Sequence, residues 1–227
     1  MYPTPAAPTQ MIIFPIKEEA KIDDASTHEG QIWARVVEIL QGWEGFYRLY
    51  WGRHVEEPEF TEIHIVRDTI HQHYSFLASK QWTEVARILA PICHDEPSSF
   101  VVRHAMISDF TPDAKSLGKG APFTGTAIYL ATDTDGWEKA WALWTTIVPN
   151  VQGCMGVTGG WMLEPVDGHP QCYIVYVGWE STELHDAYHH TKDFYRKSIV
   201  LQLHNRGWRE YRHVSFKHSR AKREANL

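Results

Sequence analysis

The 227-residue chain is predicted to have a mixed α+β fold built from two sequence-related halves. Residues 61–82 and 173–194 share one layout, in which an apolar strand runs into a helix that carries aromatic and polar side chains. One constant offset pairs similar residues in the two segments: Tyr188 with Phe76, Thr191 with Ser79, Lys192 with Lys80, and Phe194 with Trp82. Agreement at a fixed spacing is typical of an internal duplication, so we expect the chain to contain two copies of one structural unit.

The first half is predicted to be strand, helix, strand, strand, helix, strand. Alternation of apolar and polar residues indicates strands, and apolar residues at a period near 3.6 indicate helices. Pro91 should end the second helix, because proline lacks an amide proton and clashes with the preceding turn. In chain order the elements are residues 11–16, 31–41, 45–55, 60–66, 69–89 and 100–107.

The second half repeats this order. Gly207 is predicted to cap the second helix of this half, since glycine readily adopts the conformation that follows a helix. In chain order the elements are residues 126–131, 137–147, 154–163, 171–178, 182–203 and 208–216.

This element order within about 95 residues is that of a ferredoxin-like unit, an antiparallel sheet with both helices on one face. The other face of each sheet must be covered, and the second copy is the simplest cover, so we expect the two sheets to face each other as an intrachain α+β barrel. The predicted domains are residues 1–109, with a flexible start at 1–9, and residues 125–219. Between them, residues 110–124 are rich in Pro, Gly and Lys and read as a linker that buries little surface, and residues 220–227 read as a solvated basic tail.

Composition excludes several classes of protein. With 43% apolar and 22% charged residues the chain reads as soluble, and no run approaches the roughly 20 apolar residues of a membrane span. The N-terminus has no secretion-signal pattern, so the cytoplasm is the expected location. A net charge of −6 argues against nucleic acid as a partner. Cys93, Cys154 and Cys172 are odd in number and are expected to be reduced core thiols.

The candidate catalytic residues are His185, Tyr188 and His189. Their spacing of i, i+3 and i+4 places them on one face of a helix. Imidazole titrates near neutral pH and a phenol can hold a developing enolate oxygen, so the set suits proton transfer beside a carbonyl. The alternative is a core tyrosine with two solvated histidines. Zinc on His185 and His189 lacks the glutamate of an HExxH helix and an evident third ligand, so no metal is expected.

A second set is expected to bind substrate. His64 and Tyr176 align on the third strands, as His104 and His213 do on the fourth, and each of these is either a satisfied core residue or faces a pocket. Tryptophans on the first helices, such as Trp33, are mostly packing residues, although one or two could form the floor of an aromatic pocket. The predicted substrate-binding residues are Trp179, Tyr176, His64, Phe76 and Trp33. No phosphate loop or nucleotide fingerprint occurs in the sequence, so no cofactor is expected.

Two short motifs resemble the dimeric α+β barrel superfamily, which includes antibiotic-biosynthesis monooxygenases, stress-responsive barrel proteins and olivetolic acid cyclase. The first is the run Tyr50-Trp51-Gly52-Arg53-His54-Val55, and the second is Trp179-Glu180-Ser181 followed seven residues later by Tyr188. In the cyclase a helix tyrosine and a histidine six residues later act at the pocket. Here Tyr188 takes the tyrosine place but Phe194 takes the histidine place, so an acid or base would have to be His185 or His189.

The resemblance also bears on haem chemistry and on function. Haem-degrading members depend on a first-strand asparagine, and this chain has asparagine only at 150, 205 and 226, so haem breakdown is disfavoured. The expected function is a cofactor-independent enzyme of secondary metabolism that cyclises, dehydrates or isomerises a polyketide-like, aromatic or terpenoid intermediate. The alternatives are a cofactor-free monooxygenase of phenols or anthrones and a non-catalytic protein that binds a hydrophobic ligand. The expected partner is a hydrophobic small molecule, with the chain a monomer that forms an intrachain pseudo-dimer, or a homodimer.

Overall fold

The computed structural model describes residues 3–94 and 99–222, and these residues form two units. The N-terminal unit comprises residues 7–104 and 218–222, and the C-terminal unit comprises residues 3–6 and 105–217. Each unit contains strands and helices, which confirms the mixed α+β class. The duplication itself is a statement about ancestry and stays a prediction.

The N-terminal unit packs its helices on a sheet of antiparallel strands in the order β1–β3–β2. Its core holds apolar side chains from strands and helices together, among them Ile12, Ile63 and Trp33. The elements are β1 (Ala7–Pro15), α1 (His28–Gly42), β2 (Phe46–His54), β3 (Phe60–Arg67), α2 (Ile70–Leu77), α3 (Lys80–Leu89) and the start of β4 (Val101–Asp109).

The C-terminal unit contains the end of β4 and most of β8, and its antiparallel strand order is β4–β6–β7–β5–β8. Strand β7 is buried along its whole length, as expected for the middle of a sheet. The elements that follow β4 are β5 (Phe123–Ala131), α4 (Thr134–Ile147), β6 (Cys154–Met162), β7 (Cys172–Trp179), α5 (Thr182–His189), α6 (Lys192–Lys197), α7 (Ile199–Gln202) and β8 (Asn205–Ala221).

Both long helices predicted from periodicity are interrupted at positions that the repeat pairs. The side chain of Ser79 accepts a hydrogen bond from the amide of Trp82, and the side chain of Thr191 does the same for Phe194. Each hydroxyl also donates to the carbonyl three residues earlier, at 2.6 Å in the first case and 2.7 Å in the second. Such side chains satisfy the free amides at a helix start, so a new helix begins at each site.

Other boundaries differ from the sequence-based expectation. Gly207 does not cap a helix, because α7 ends at Gln202 and Gly207 lies within β8 with a φ of 113°. Strand β8 continues to Ala221, which removes residues 220 and 221 from the predicted tail, and residues 223–227 lie outside the described residues. At the other end β1 already starts at Ala7, within the segment predicted to be flexible.

The segment predicted to be a loosely packed linker is partly buried. Ala114, Ser116, Leu117 and Ala121 are all at most 5% exposed. The hydroxyl of Ser116 lies 2.6 Å from that of Thr158 on β6, so this segment packs on the sheet within the C-terminal unit. The low burial expected from its composition is therefore wrong, because glycines on the sheet let the segment approach closely: a Cβ at Gly156 would lie 2.5 Å from Cα of Ala114, and one at Gly178 would lie 2.9 Å from Cβ of Ala121.

Two smaller expectations concern cysteines and membrane spans. Cys93, Cys154 and Cys172 are free thiols, and Cys93 and Cys172 are buried. Within the described ranges, the helices are all too short or too polar to cross a bilayer.

The capping geometry predicts that Thr191→Ala lowers the free energy of unfolding by about 1 kcal/mol, because the amide of Phe194 loses its acceptor. Thr146→Ala is the control, since Thr146 is an exposed threonine inside α4 that caps nothing. Urea unfolding followed by circular dichroism should show a lower midpoint for Thr191→Ala alone. Equal midpoints for the two variants would contradict the proposed cap.

Candidate functional site

A cavity of about 240 Å³ lies inside the C-terminal unit, between the sheet and helices α4, α5 and α6. Alternate residues of β7 point to it, because side chains alternate between the two faces of a strand. Val175, Val177 and Trp179 line the cavity, whereas Tyr176 is buried without lining it. The lining is mostly aromatic and aliphatic, which suits an apolar planar ligand.

The three predicted catalytic residues come together in this cavity. Ser181 caps α5 by accepting a hydrogen bond from the amide of Leu184, and the helix then presents His185, Tyr188 and His189 on one face. All three line the cavity. His185 and Tyr188 are buried, and His189 is half-buried.

A glycine makes room for His185 against the sheet. Gly125 on β5 lies opposite His213 on β8, and α5 packs on β5. A Cβ added at Gly125 would lie 2.7 Å from Cε1 of His185 and 2.9 Å from its Nδ1. Any side chain at this position would therefore push the imidazole out of its place.

The histidines are joined in a hydrogen-bonded array. Nδ1 of His185 lies 2.7 Å from Nε2 of His213, and the hydroxyl of Tyr211 lies 3.3 Å from Nδ1 of both His185 and His189. The ring of Trp179 stacks on His185 with centroids 4.4 Å apart. The array therefore extends from the half-buried His189 to the buried His213 through one phenol.

Both α5 histidines are held neutral. Burial, with added repulsion from His189 and His213, lowers the pKa of His185 to about 2. Burial also lowers the pKa of His189, but the carboxylate of Asp186 acts in the opposite direction. At neutral pH both rings are therefore uncharged and able to accept a proton, and the smaller barrier to charging lies at His189.

Three buried donors beside the cavity have no hydrogen-bond partner within the described part of the chain: the hydroxyl of Tyr188 and the indole Nε1 atoms of Trp179 and Trp141. Burial, with the nearby charge of Asp193, raises the pKa of Tyr188 to about 12, so its hydroxyl stays protonated. Buried polar groups normally have partners, so unsatisfied donors next to a cavity are matched to a ligand that brings an acceptor oxygen.

The other predicted substrate-binding residues lie elsewhere. Of that set only Trp179 joins the cavity. Phe76 and Trp33 lie in the core of the N-terminal unit. His64 is in the same unit, where its Nε2 contacts Glu62 and its Nδ1 lies 3.3 Å from the hydroxyl of Tyr50. The cavity that holds His185, Tyr188 and His189 is therefore not lined by four of the five predicted substrate-binding residues, which are Tyr176, His64, Phe76 and Trp33.

Sequence reasoning missed Tyr211 and gave His213 only a secondary place. Their two-residue spacing on one strand was the available signal, since it places both on the same face. Phe194, which was recognised as standing in the place of a histidine, packs against His189 with ring centroids 4.4 Å apart. The resemblance places a titratable histidine at position 194. Here the ring of Phe194 takes that place and covers His189.

The N-terminal unit contains a related histidine pair, and the ring of Tyr74 packs on one of its members, His104, with centroids 4.8 Å apart. His73 and His104 have ring centroids 5.5 Å apart, and burial lowers the pKa of His73 to about 4. Nε2 of His73 donates to the carbonyl of Pro8, and Nε2 of His104 lies 3.1 Å from the amide nitrogen of Gln10. The position paired with Tyr188 is Phe76, so this unit has no hydroxyl there.

One group of possible metal ligands occurs among the described residues. Donor atoms of His185, Asp186 and His213 lie within 4.8 Å of one another. However, Asp186 is exposed, and the 2.7 Å contact between the imidazoles is a direct hydrogen bond that a metal ion would have to replace. The absence of a metal stays a prediction.

No family model matches the chain, and no curated protein matches its sequence. Several solved structures are similar in fold. A candidate monooxygenase from Fusobacterium nucleatum has 9% identity and a TM-score of 0.64, with 96% of each chain covered. A candidate monooxygenase from Lactobacillus acidophilus has 13% identity and a TM-score of 0.58, with 95% of this chain and 96% of that one covered.

An anthrone oxidase-like protein has 13% identity and a TM-score of 0.65, with 95% of this chain and 93% of that one covered. At these identities the similarity shows the fold alone. The neighbours share the ferredoxin-like α+β fold, which agrees with the element order predicted from the sequence.

The buried neutral histidines predict a pH-dependent stability. The pKa of His185 is lower in the folded state than in the unfolded chain, so the unfolded chain binds more protons below about pH 6.5 and the free energy of unfolding falls on acidification. One histidine contributes up to about 1.4 kcal/mol per pH unit. In His185→Asn, denaturant titrations between about pH 7 and pH 5 should show a shallower loss of stability.

The matched control is His71→Asn, because His71 is exposed on α2. Its pH dependence should equal that of the unchanged protein. If His185→Asn lost stability on acidification as steeply as the control, His185 would not be the neutral buried group described here.

Proposed function

We propose that the C-terminal cavity is the active site of a cofactor-independent enzyme that removes a proton from a small aromatic substrate and lets the resulting anion react with dioxygen. The observation that carries this proposal is the meeting of a half-buried neutral imidazole, His189, with the hydroxyl of Tyr188, which has no partner among the described residues, in one apolar cavity. A neutral base and a fixed donor are the two groups that proton removal beside an oxygen requires.

His189 is assigned as the base in preference to His185. Protonating His185 would place a charge in the buried part of the array, and its pKa of about 2 makes it a weak proton acceptor. His189 is more exposed, and Asp186 favours its charged form. If Nδ1–H of His189 donates to the oxygen of Tyr211, its Nε2 remains free to accept the proton. Tyr211 and His185 are then positioning residues.

Tyr188 and Trp179 are assigned as the donors that hold the developing oxyanion. Both donors are buried and neither has a partner among the described residues, so no protein hydrogen bond must break when the ligand binds. The pKa of about 12 keeps Tyr188 a donor at neutral pH. Donors fixed where negative charge develops in a water-poor site typically contribute about 10²–10³ in rate each.

The oxygen step balances without a bound cofactor. A methylene or ring C–H para to the anionic oxygen is converted to a carbonyl, one oxygen atom of dioxygen enters the product, and the other leaves as water with the two hydrogens removed. 1,5-Dihydroxynaphthalene would give 5-hydroxy-1,4-naphthoquinone in this way. Support for oxygen as the second substrate comes from the fold neighbours, two of which are named as candidate monooxygenases and one as anthrone oxidase-like.

A second candidate keeps the same proton removal and omits oxygen. The array of imidazoles and a phenol can return a proton to a different atom of the substrate, which would support cyclisation, dehydration or isomerisation of a polyketide-like, aromatic or terpenoid intermediate in secondary metabolism. This reaction would proceed at full rate without dioxygen.

Oxygen uptake with dihydroxynaphthalene tests the proposal. The purified chain with no added cofactor should consume one dioxygen per substrate and form the quinone. Tyr188→Phe and His189→Gln should each lower kcat by about 10²–10⁴, because each removes one group that acts on the substrate. The matched controls are Tyr195→Phe and His190→Gln, both exposed and close in sequence, and these should retain activity.

The outcomes separate the classes of function. Turnover that persists without oxygen would replace the oxygenase with the acid–base enzyme. Tight binding of a substrate that is recovered unchanged, unaffected by either site substitution, would indicate a carrier and overturn both enzyme proposals.

A further inference from the structure

A second and larger cavity, of about 830 Å³, lies in the C-terminal unit along a neighbouring face of α4. We call it the outer groove. Its walls come from α4, from Gly159, Gly160 and Trp161 of β6, and from Pro3 and Ala6 at the start of the described chain. The function proposed above does not use it.

Trp141 is the wall between the two cavities. It lines both the 240 Å³ cavity and the outer groove, and it is 2% exposed. Its ring packs on Tyr173 with centroids 5.4 Å apart and on Phe110 at 5.5 Å. A Cβ added at Gly159 would lie 3.2 Å from Cζ2 of Trp141, so the indole rests on bare backbone on the groove side.

No directional bond holds this wall in place. The indole Nε1 of Trp141 is buried and has no hydrogen-bond partner among the described residues. Its neighbours therefore hold the ring by packing alone, and turning it breaks no hydrogen bond. The same free N–H can donate to an oxygen of a ligand that enters between the cavities.

The sizes of the cavities indicate why such a movement matters. A cavity of about 150 Å³ holds one benzene ring. By that measure the inner cavity, about 240 Å³, holds roughly two fused rings, and a third ring or a hydrocarbon chain needs further room. The outer groove supplies that room directly behind Trp141.

We propose that the outer groove is the binding site for the distal part of a polycyclic or chain-extended aromatic substrate, and that Trp141 turns aside to admit it. The reactive ring then lies beside Tyr188 and His189, and the remainder lies along α4. The identity of the reactive ring rests on the function proposed above, whereas the existence of a joined binding site does not. Trp141 is therefore the residue that determines substrate length.

The lining of the groove favours a neutral ligand. Among the described residues that form it, none is basic and one is acidic: the exposed Glu138, whose Oε1 accepts a hydrogen bond of 3.0 Å from Nε1 of Trp161. A carboxylate on the ligand would find no cation there, so the distal part is expected to be neutral.

Two neutral fluorescent probes of different length test the proposal by direct binding, without turnover. Naphthol fits the inner cavity alone, and hydroxymethylanthracene requires both cavities. Ala142→Trp places an indole in the outer groove and should weaken binding of hydroxymethylanthracene at least tenfold while leaving that of naphthol within about twofold. The matched control is Leu143→Trp, on the same helix and 50% exposed, which lines neither cavity and should change neither affinity.

Trp141→Ala is the second variant. It joins the cavities permanently, so the larger probe no longer has to displace the wall and should bind several-fold more tightly. If Ala142→Trp weakened the binding of both probes equally, or of neither, the proposal of a joined site would be wrong. This outcome does not depend on whether Trp141→Ala folds. The binding result is independent of oxygen uptake, so the length prediction can hold while the proposed reaction fails, and the reverse.

Discussion

The site depends on the burial of His185 against the sheet. This imidazole is covered by Trp179, bonded to His213, and placed where Gly125 has no side chain. Burying a neutral imidazole with partners costs far less than burying a charged one, so the surroundings that keep water out also keep the ring uncharged. The half-buried His189 and the phenol of Tyr211 take their positions from this fixed ring.

The N-terminal unit buries histidine in a different way. His54 and His64 lie on either side of Glu62, with contacts to its two carboxylate oxygens. Burial alone would raise the pKa of Glu62, but hydrogen bonds from the two imidazoles outweigh it and hold that pKa well below its usual range. A buried carboxylate thus lies between the two imidazoles there, whereas the imidazoles of His185 and His213 contact each other directly, at 2.7 Å. In the second arrangement the uncharged ring of His185 lines the 240 Å³ cavity, which is what proton removal from an apolar ligand needs.

The spacing of residues in the sequence was sufficient to predict part of the candidate site. Helical spacing predicted the shared face of His185, Tyr188 and His189, because three and four residues along one helix always meet. The face of a strand could not be assigned from alternation alone, since either set of side chains could lie under the helices, and Tyr176 was placed with the site for that reason.

Tyr211 was missed because β8 pairs with β5 through register shifts that no local pattern encodes. The breaks at Ser79 and Thr191 were missed because apolar periodicity continues across them, although the repeat had already paired the two residues.

The outer groove has one wall that comes from the very start of the described chain. Pro3 and Ala6 border it, and Thr4 is held there by hydrogen bonds in both directions with the backbone of Asp109. A purification tag or fusion partner joined upstream of Pro3 would therefore be attached beside the ligand and could compete for the same space.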